Sequence, residues 1–303
     1  MNRYLFPVLL LLVSFVEGQI IDDVRTEVAQ GNFSAAGSQL DAYRAQHGVD
    51  PEYLEALSWM ARASLAAKQF DQAETYAKQT ESGARQLLKG RTPDSDPHLP
   101  TALGAAFEVQ AQVLAARGQN PQAAALLRTA LSTYGNTSIR ARLQKNLNLL
   151  GLAGQPAPPL SMAEYLGVRP TPLAQEKGSP VLLFFWAHWC IDCKHEGPII
   201  SRLSAEFSAR GLKVQAPTKL YGYAAQGENA KPKDELAYIG QVWQKYYPAL
   251  QEVPVPVSPA NFDRYGASTT PTLVLIDRQG RVALYHPGLM SYEELRAVIE
   301  KTI

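Results

Sequence analysis

The sequence predicts two domains, an all-α helical repeat followed by an α/β domain. At 303 residues the chain is longer than one compact domain usually is. Residues 20–150 are rich in Ala, Leu and Gln and contain a recurring six-residue pattern. An unbroken apolar run over residues 181–187 then indicates a buried strand, and the only two cysteines of the chain, Cys190 and Cys193, follow it.

Composition narrows the classes of partner. The 29 basic and 28 acidic residues leave a net charge of +1, and no block of Lys or Arg occurs. Nucleic acid is therefore not expected as a partner, nor is an anionic membrane surface. Hydrophobic content of 46% and charged content of 19% are typical of a globular protein with a substantial core.

The first 18 residues are predicted to be a signal peptide. Arg3 precedes a 12-residue apolar run over residues 5–16, and small residues favour cleavage after Gly18. An uncleaved signal anchoring the chain to a membrane is the alternative, although 12 apolar residues are short for a bilayer span. We therefore expect a periplasmic or secreted protein. In an oxidising compartment, one close cysteine pair is better explained as a working dithiol than as a structural scaffold.

Residues 19–153 are expected to form the helical domain. The recurring pattern places a turn before a small alanine that opens the next helix, and positions four and seven residues later continue one face. The three copies are residues 31–36, 68–73 and 118–123, whose alanines are Ala36, Ala73 and Ala123. A loop is expected at residues 88–100, which contain three prolines.

This pattern resembles the tetratricopeptide repeat. The copies lie 37 and 50 residues apart, so the resemblance requires insertions relative to a period of about 34. Asn120 also stands where the family has an aromatic residue. The alternative is a generic alanine-rich helical bundle. Stacked helix pairs leave a groove, so the resemblance implies that this domain binds a protein partner.

Residues 154–303 are expected to form the second domain, because a Pro-rich stretch at 154–159 ends the helical pattern. The predicted order is strand, helix, strand, helix, hairpin and helix, which indicates an α/β sandwich. These elements are predicted at residues 181–187, 190–210, 212–216, 234–247, 272–285 and from 291 onward. Ser291 and Glu294 have the spacing of a capping box at the start of the last helix.

The second domain resembles the thioredoxin fold, and most closely the TlpA/ResA-type thiol-disulfide oxidoreductases. Two segments carry the resemblance: residues 185–193, which end in Trp189-Cys190-Ile191-Asp192-Cys193, and residues 265–273, which contain Thr270-Pro271. The resemblance implies an enzyme that exchanges its dithiol with protein thiols and disulfides, together with a redox partner protein and without a cofactor or metal. Cys190 is expected to be the exposed nucleophile and Cys193 the resolving thiol.

Elementary electrostatics supports this role for Cys190. A cysteine at a helix start faces unpaired amide N–H groups and the positive end of the helix dipole, and both favour the thiolate. Lys194, and His188 or His195 when protonated, would favour it further, whereas Asp192 would oppose it. The sequence leaves the redox potential, and therefore the direction of electron flow, open.

Four further residues complete the predicted site. Glu196 lies one helical turn after Cys193 and is expected to transfer a proton during resolution; alternatively it is a surface residue. Pro271 is expected to follow a cis peptide bond facing the dithiol, with Thr270 presenting its backbone to the substrate. Trp189 is expected to form a surface lip beside the thiols, whereas Trp186 is expected in the core.

Two other functions occur on the same fold and are alternatives to thiol-disulfide exchange. A copper-binding or copper-delivery protein would use Cys190, Cys193 and His286 as ligands, although such relatives usually space their cysteines by three residues. A thiol peroxidase would need Thr three residues before the reactive cysteine, where this chain has Ala187.

Overall fold

The computed structural model describes residues 19–303, and the predicted signal peptide, residues 1–18, lies outside them. By their internal contacts the residues form two compact units, which meet in the sequence between Val109 and Gln110. Among the described helices, none is both long enough and apolar enough to cross a membrane.

Within residues 19–303, seven helices precede the sheet, as the composition predicts. They are α1 (Gln19–Ala29), α2 (Phe33–His47), α3 (Pro51–Ala66), α4 (Phe70–Leu88), α5 (Leu99–Ala116), α6 (Asn120–Tyr134) and α7 (Arg140–Gly151). The expected loop separates α4 from α5 and contains a short 3₁₀ turn at Pro93–Ser95. The first unit holds α1 to α4 and the start of α5, and the second unit holds α6 and α7.

The three sequence copies form the same local structure. Each begins with a residue of left-handed backbone conformation, namely Gly31 (φ 80°), Lys68 (φ 59°) and Gly118 (φ 75°). This conformation turns the chain between α1 and α2, between α3 and α4, and between α5 and α6. The alanine of each copy is fully buried (Ala36, Ala73 and Ala123). Its small side chain allows neighbouring helices to pack closely.

The second unit contains a four-stranded sheet. Its strands are β2 (Val181–Phe185), β3 (Lys213–Gln215), β5 (Thr272–Ile276) and β6 (Val282–Pro287), in the order β3-β2-β5-β6. The β2–β3 pair is parallel and the other two pairs are antiparallel. A two-stranded pair, β1 (Tyr165–Leu166) with β4 (Val255–Pro256), and the helix α10 (Pro259–Tyr265) are additions that the sequence pattern did not predict.

Helices cover the sheet on both faces, which explains why β2 is apolar throughout. Leu182 and Phe184 face a core that includes residues of α8 (Ile191–Phe207), α9 (Pro232–Tyr246) and α11 (Tyr292–Thr302). Val181, Leu183 and Phe185 face a second core that includes Phe262 and Tyr265 of α10. The capping box at Ser291 and Glu294 is present at the start of α11.

The helix α7 contacts α10 and β6 within the second unit. The side-chain amide of Asn148 donates to the carbonyl of Tyr265 at 2.9 Å. Gly266 lies so close to the helix that a Cβ atom there would be 2.2 Å from the backbone nitrogen of Lys145. The change from helices to sheet thus falls where the Pro-rich stretch is, while α7 packs with the sheet that follows it.

Candidate active site

The site lies at the start of α8, just beyond the C-terminal end of the central strand β2. Cys190 is the N-cap residue of α8, and its Sγ is bonded to Cys193 Sγ in a disulfide. The backbone N–H of Cys193 donates to Cys190 Sγ at 3.0 Å. The same N–H would stabilise a thiolate on Cys190 after reduction, because unpaired amides and the helix dipole favour negative charge there.

The two cysteines differ in exposure, and both are less exposed than a reactive pair was expected to be. Cys193 is fully buried and Cys190 is 3% exposed, so Cys190 is much less exposed than predicted. The reason is that the Cys190 side chain turns inward toward the first turn of α8 and is covered by the segment before β5. Cys190 is nevertheless the more exposed residue of the pair.

The segment before β5 brings Thr270 and Pro271 to the disulfide. The Thr270–Pro271 peptide bond is cis. The carbonyl oxygen of Thr270 lies 3.3 Å from Cys190 Sγ. Residues 80 positions apart in the sequence therefore meet at one sulfur.

Glu196 lies on α8 with its side chain fully buried, so the alternative of a surface residue was wrong. Its Oε2 accepts the backbone N–H of Met290 at 3.2 Å, while Oε1 has no hydrogen-bond partner. Burial raises the pKa of Glu196 to about 7, although the Met290 hydrogen bond lowers it. A carboxyl group with a pKa near neutral is suited to taking or giving a proton.

The two tryptophans have the surroundings that the sequence indicated. Trp189 is 49% exposed beside Cys190, and Trp186 is fully buried. The indole N–H of Trp186 donates to the carbonyl of Ala216 at 3.0 Å, which satisfies its polar atom in the core. Trp189 is thus exposed beside the disulfide, and Trp186 belongs to the core behind it.

His286 is not grouped with the two sulfurs. Its Nε2 lies 3.0 Å from the carbonyl oxygen of Leu289. Over residues 19–303, no three His, Cys, Asp or Glu side chains are arranged to hold a metal ion. The geometry therefore gives no support to the copper alternative.

Sequence reasoning missed one acidic residue beside the site. Glu235 lies in the first turn of α9 with 1% exposure, and its Oε1 is 3.5 Å from Nε2 of His188. His188, considered before only as a charge near Cys190, is 2% exposed. No spacing in the sequence links Glu235 to His188, because 47 residues and two elements separate them.

Comparison with known proteins agrees with this geometry. Residues 171–303 match the sequence profile of the thioredoxin-like domain family. The thioredoxin-like protein YneN of Bacillus subtilis is 27% identical over 148 residues, which are 48% of this chain and 78% of that protein. The thiol-disulfide oxidoreductase ResA of Geobacillus thermodenitrificans is 25% identical over 147 residues, which are 48% of this chain and 76% of that protein.

Among solved structures, a Chlorobium tepidum protein assigned as a thiol:disulfide interchange protein DsbE is 30% identical to this chain. The match covers 50% of this chain and 96% of that one, with a TM-score of 0.39. The sequence matches show that the C-terminal part of this chain is a thioredoxin-like domain, and relatives such as ResA are named thiol-disulfide oxidoreductases.

Proposed function

We propose that this protein is an exported thiol-disulfide oxidoreductase that exchanges the Cys190–Cys193 disulfide with protein substrates, and that its helical repeats recruit partners. One observation carries the proposal. The disulfide caps α8, with Cys190 Sγ accepting the Cys193 N–H and facing the Thr270 carbonyl. A cysteine pair so placed favours a thiolate on the first sulfur and offers a second thiol one turn away.

In the reducing direction, the Cys190 thiolate attacks one sulfur of a substrate disulfide. A bond forms between Cys190 Sγ and that sulfur, and the other substrate sulfur leaves as a thiolate. The cis-Pro271 segment supports this step, since the backbone at Thr270 lies beside Cys190 Sγ. An extended polypeptide held along this backbone would present its sulfur to the nucleophile.

The mixed disulfide is then resolved within the protein. Cys193 loses its thiol proton and attacks Cys190 Sγ, which closes the disulfide and releases the second substrate thiolate. Glu196, one turn after Cys193, is the group proposed to accept that proton, because its Oε1 is buried without a partner and its pKa is near neutral. Two electrons pass from the dithiol to the substrate, and the reverse sequence oxidises a substrate dithiol.

The proposed recruitment of partners rests on the helical domain. The three repeated turns and their buried alanines support the resemblance to the tetratricopeptide repeat. The proposed export rests on the character of residues 1–18 and on the use of a single dithiol. Export would be tested by measuring the mass of the chain recovered from the periplasm or medium. The measured mass should be that of a chain that begins at Gln19.

The activity would be tested with two substrates. We expect the purified protein to accelerate either the reduction of insulin by dithiothreitol or the oxidation of reduced, denatured ribonuclease, and the faster reaction gives the direction of electron flow. Cys190→Ser should lose whichever activity the wild type has. A wild-type protein inactive in both assays would contradict the proposed function.

A further inference from the structure

His188 and Glu235 form a buried pair beside the active site. His188 lies in the connection between β2 and Cys190, and Glu235 lies in the first turn of α9. The two side chains are almost completely buried, and the disulfide exchange derived above uses neither of them. Burying ionisable groups costs free energy unless they are paired and hydrogen-bonded.

The Glu235 carboxylate holds the loop between β3 and α9. Its Oε1 accepts the backbone N–H of Tyr221, and its Oε2 accepts that of Gly222 at 2.8 Å. Gly222 has a φ of 89°, a backbone conformation that favours glycine. A side chain that accepts two backbone N–H groups, one on each oxygen, fixes this turn.

An aromatic cluster continues from this turn to the active site. The His188 ring contacts the edges of Tyr221, Tyr223 and Tyr238, with ring centroids 5.6, 5.2 and 5.5 Å away. The Tyr221 ring packs edge to face on Trp189, with centroids 5.6 Å apart and planes at 83°. Trp189 is thus supported on one side, while half of its surface stays exposed next to Cys190.

The cost of the pair argues against a role in packing alone. His188 Nε2 is buried and lies 3.5 Å from Glu235 Oε1, which is longer than a good hydrogen bond. Burial lowers the pKa of His188, although Glu235 raises it. A pair of apolar side chains of similar volume would fill this space without that penalty, but it could not hold the Tyr221–Gly222 turn through two hydrogen bonds.

We propose that His188 and Glu235 are positioning residues that hold Tyr221 against Trp189, so that the indole presents a fixed wall to the substrate residue beside the reacting cysteine. This inference rests on the proposed thiol exchange. An aromatic wall packs well against apolar or aromatic side chains and gives nothing to an acidic one. The enzyme therefore prefers substrates with an apolar or aromatic residue next to the cysteine.

The test compares Glu235→Gln with a matched control. Glu228→Gln removes one acidic charge from the loop that Glu235 holds, but Glu228 is exposed. Two disulfide-linked peptide substrates differ only in Phe or Asp beside the cysteine. We expect the wild type and Glu228→Gln to favour the Phe peptide by roughly tenfold in kcat/KM, mainly through KM. We expect Glu235→Gln to retain only about a twofold preference, since one backbone N–H would lose its acceptor.

A spectroscopic measurement tests the position of Trp189 independently of activity. With 5-fluorotryptophan at the four tryptophans, ¹⁹F NMR should show the Trp189 resonance, assigned with Trp189→Phe, shifted or broadened in Glu235→Gln. The Trp186 resonance, from the core of the same unit, should stay unchanged and shows that the fold of this unit is intact. Tyr221→Leu should move the Trp189 resonance in the same way, which keeps the test open if Glu235→Gln folds poorly.

An unchanged Trp189 resonance in both variants would overturn the inference. An unchanged Phe preference in Glu235→Gln would overturn it as well. These outcomes differ from failure of the proposed function, in which the wild type itself exchanges no disulfide with either peptide.

Discussion

Cys190 and Cys193 differ in what surrounds each sulfur, and this difference supports the roles proposed for them. Cys190 accepts the Cys193 N–H, lies beside the Thr270 carbonyl and is 3% exposed, whereas Cys193 is fully buried. An attacking sulfur must reach a substrate, and a resolving sulfur needs only to reach the first. Glu196, also buried, is the acid that lies one turn farther along the same helix.

The division of roles predicts opposite trapping behaviour for two single variants. Cys193→Ser should accumulate a mixed disulfide with a protein substrate, because Cys190 can attack but nothing resolves the product. Cys190→Ser should trap far less, because Cys193 is fully buried. Mass spectrometry under non-reducing conditions measures the adduct. Equal trapping by both variants would contradict the assignment.

The raised pKa of Glu196 predicts how stability depends on pH. Since the folded-state pKa of about 7 exceeds the ordinary value of 4.5, the native state binds the proton more tightly. The stabilisation is therefore full below about pH 4.5 and is lost as the pH rises to about 7, a change on the order of 3 kcal/mol. Glu196→Gln should remove this dependence.

Denaturant unfolding of the oxidised protein at pH 4.5 and pH 8 checks this prediction. Near pH 4.5 the variant and the wild type should be of similar stability, and at pH 8 the variant should be the more stable one. The variant should also show a weaker pH dependence of disulfide closure. A variant whose stability falls with pH as steeply as the wild type would argue against a buried, titrating Glu196.

At the level of elements, α8 holds the disulfide because it packs tightly on the aromatic core behind it. Gly197 lies against Tyr247, whose ring stacks on Trp243 with centroids 4.7 Å apart. Trp186, at the end of the β2 segment, contacts Tyr247 at 5.1 Å. The start of α8 is thus fixed by close packing of Gly197 against the Tyr247 ring, which only a residue without a side chain allows.

This approach predicts that two helical glycines respond oppositely to alanine. In Gly197→Ala the Cβ atom would lie 2.7 Å from the Tyr247 ring, so the variant should lose about 1–3 kcal/mol of stability. Gly240→Ala in α9 meets no atom within 4 Å and should gain about 1 kcal/mol from helix propensity. Denaturant unfolding measures both. A neutral Gly197→Ala would mean that α8 and Tyr247 separate easily.

At the level of the whole molecule, the helix α7 is packed with the sheet of the second unit rather than only with the helices before it. Its contacts with α10 and β6 include the Asn148–Tyr265 hydrogen bond and the close approach at Gly266. We therefore expect the thioredoxin-like domain to depend on α7 for part of its stability, although the family match begins at residue 171.

Substitutions at two glycines that end helices distinguish the effect of this packing on stability from the effect of backbone strain. Gly266 and Gly211 both have left-handed backbones, with φ of 60° and 88°. Gly211→Ala should cost about 1–2 kcal/mol from strain alone, because its nearest contact would be 3.9 Å away. Gly266→Ala should cost clearly more, because its Cβ would also clash with α7. Thermal unfolding compares them, and equal losses would contradict close packing of α7.

Local pattern in the sequence determined much of this protein. The apolar run of β2, the periodicity of α8 and α9, the capping box of α11 and the three repeated turns all depend on residues close together in the chain. The elements therefore lie within a few residues of their predicted bounds. The Cys-X-X-Cys pair is likewise local, because three residues of helix bring its sulfurs together.

Only the tertiary structure decided what depends on distant residues. Burial of Glu196 arises from the Met290 segment 94 residues away, and the narrow access to Cys190 arises from Thr270. The meeting of His188 with Glu235 requires the loop after β3 to fold back over β2. Short elements such as β1, β4 and α10 also escaped prediction, because pairing and packing with remote segments, rather than local propensity, stabilise them.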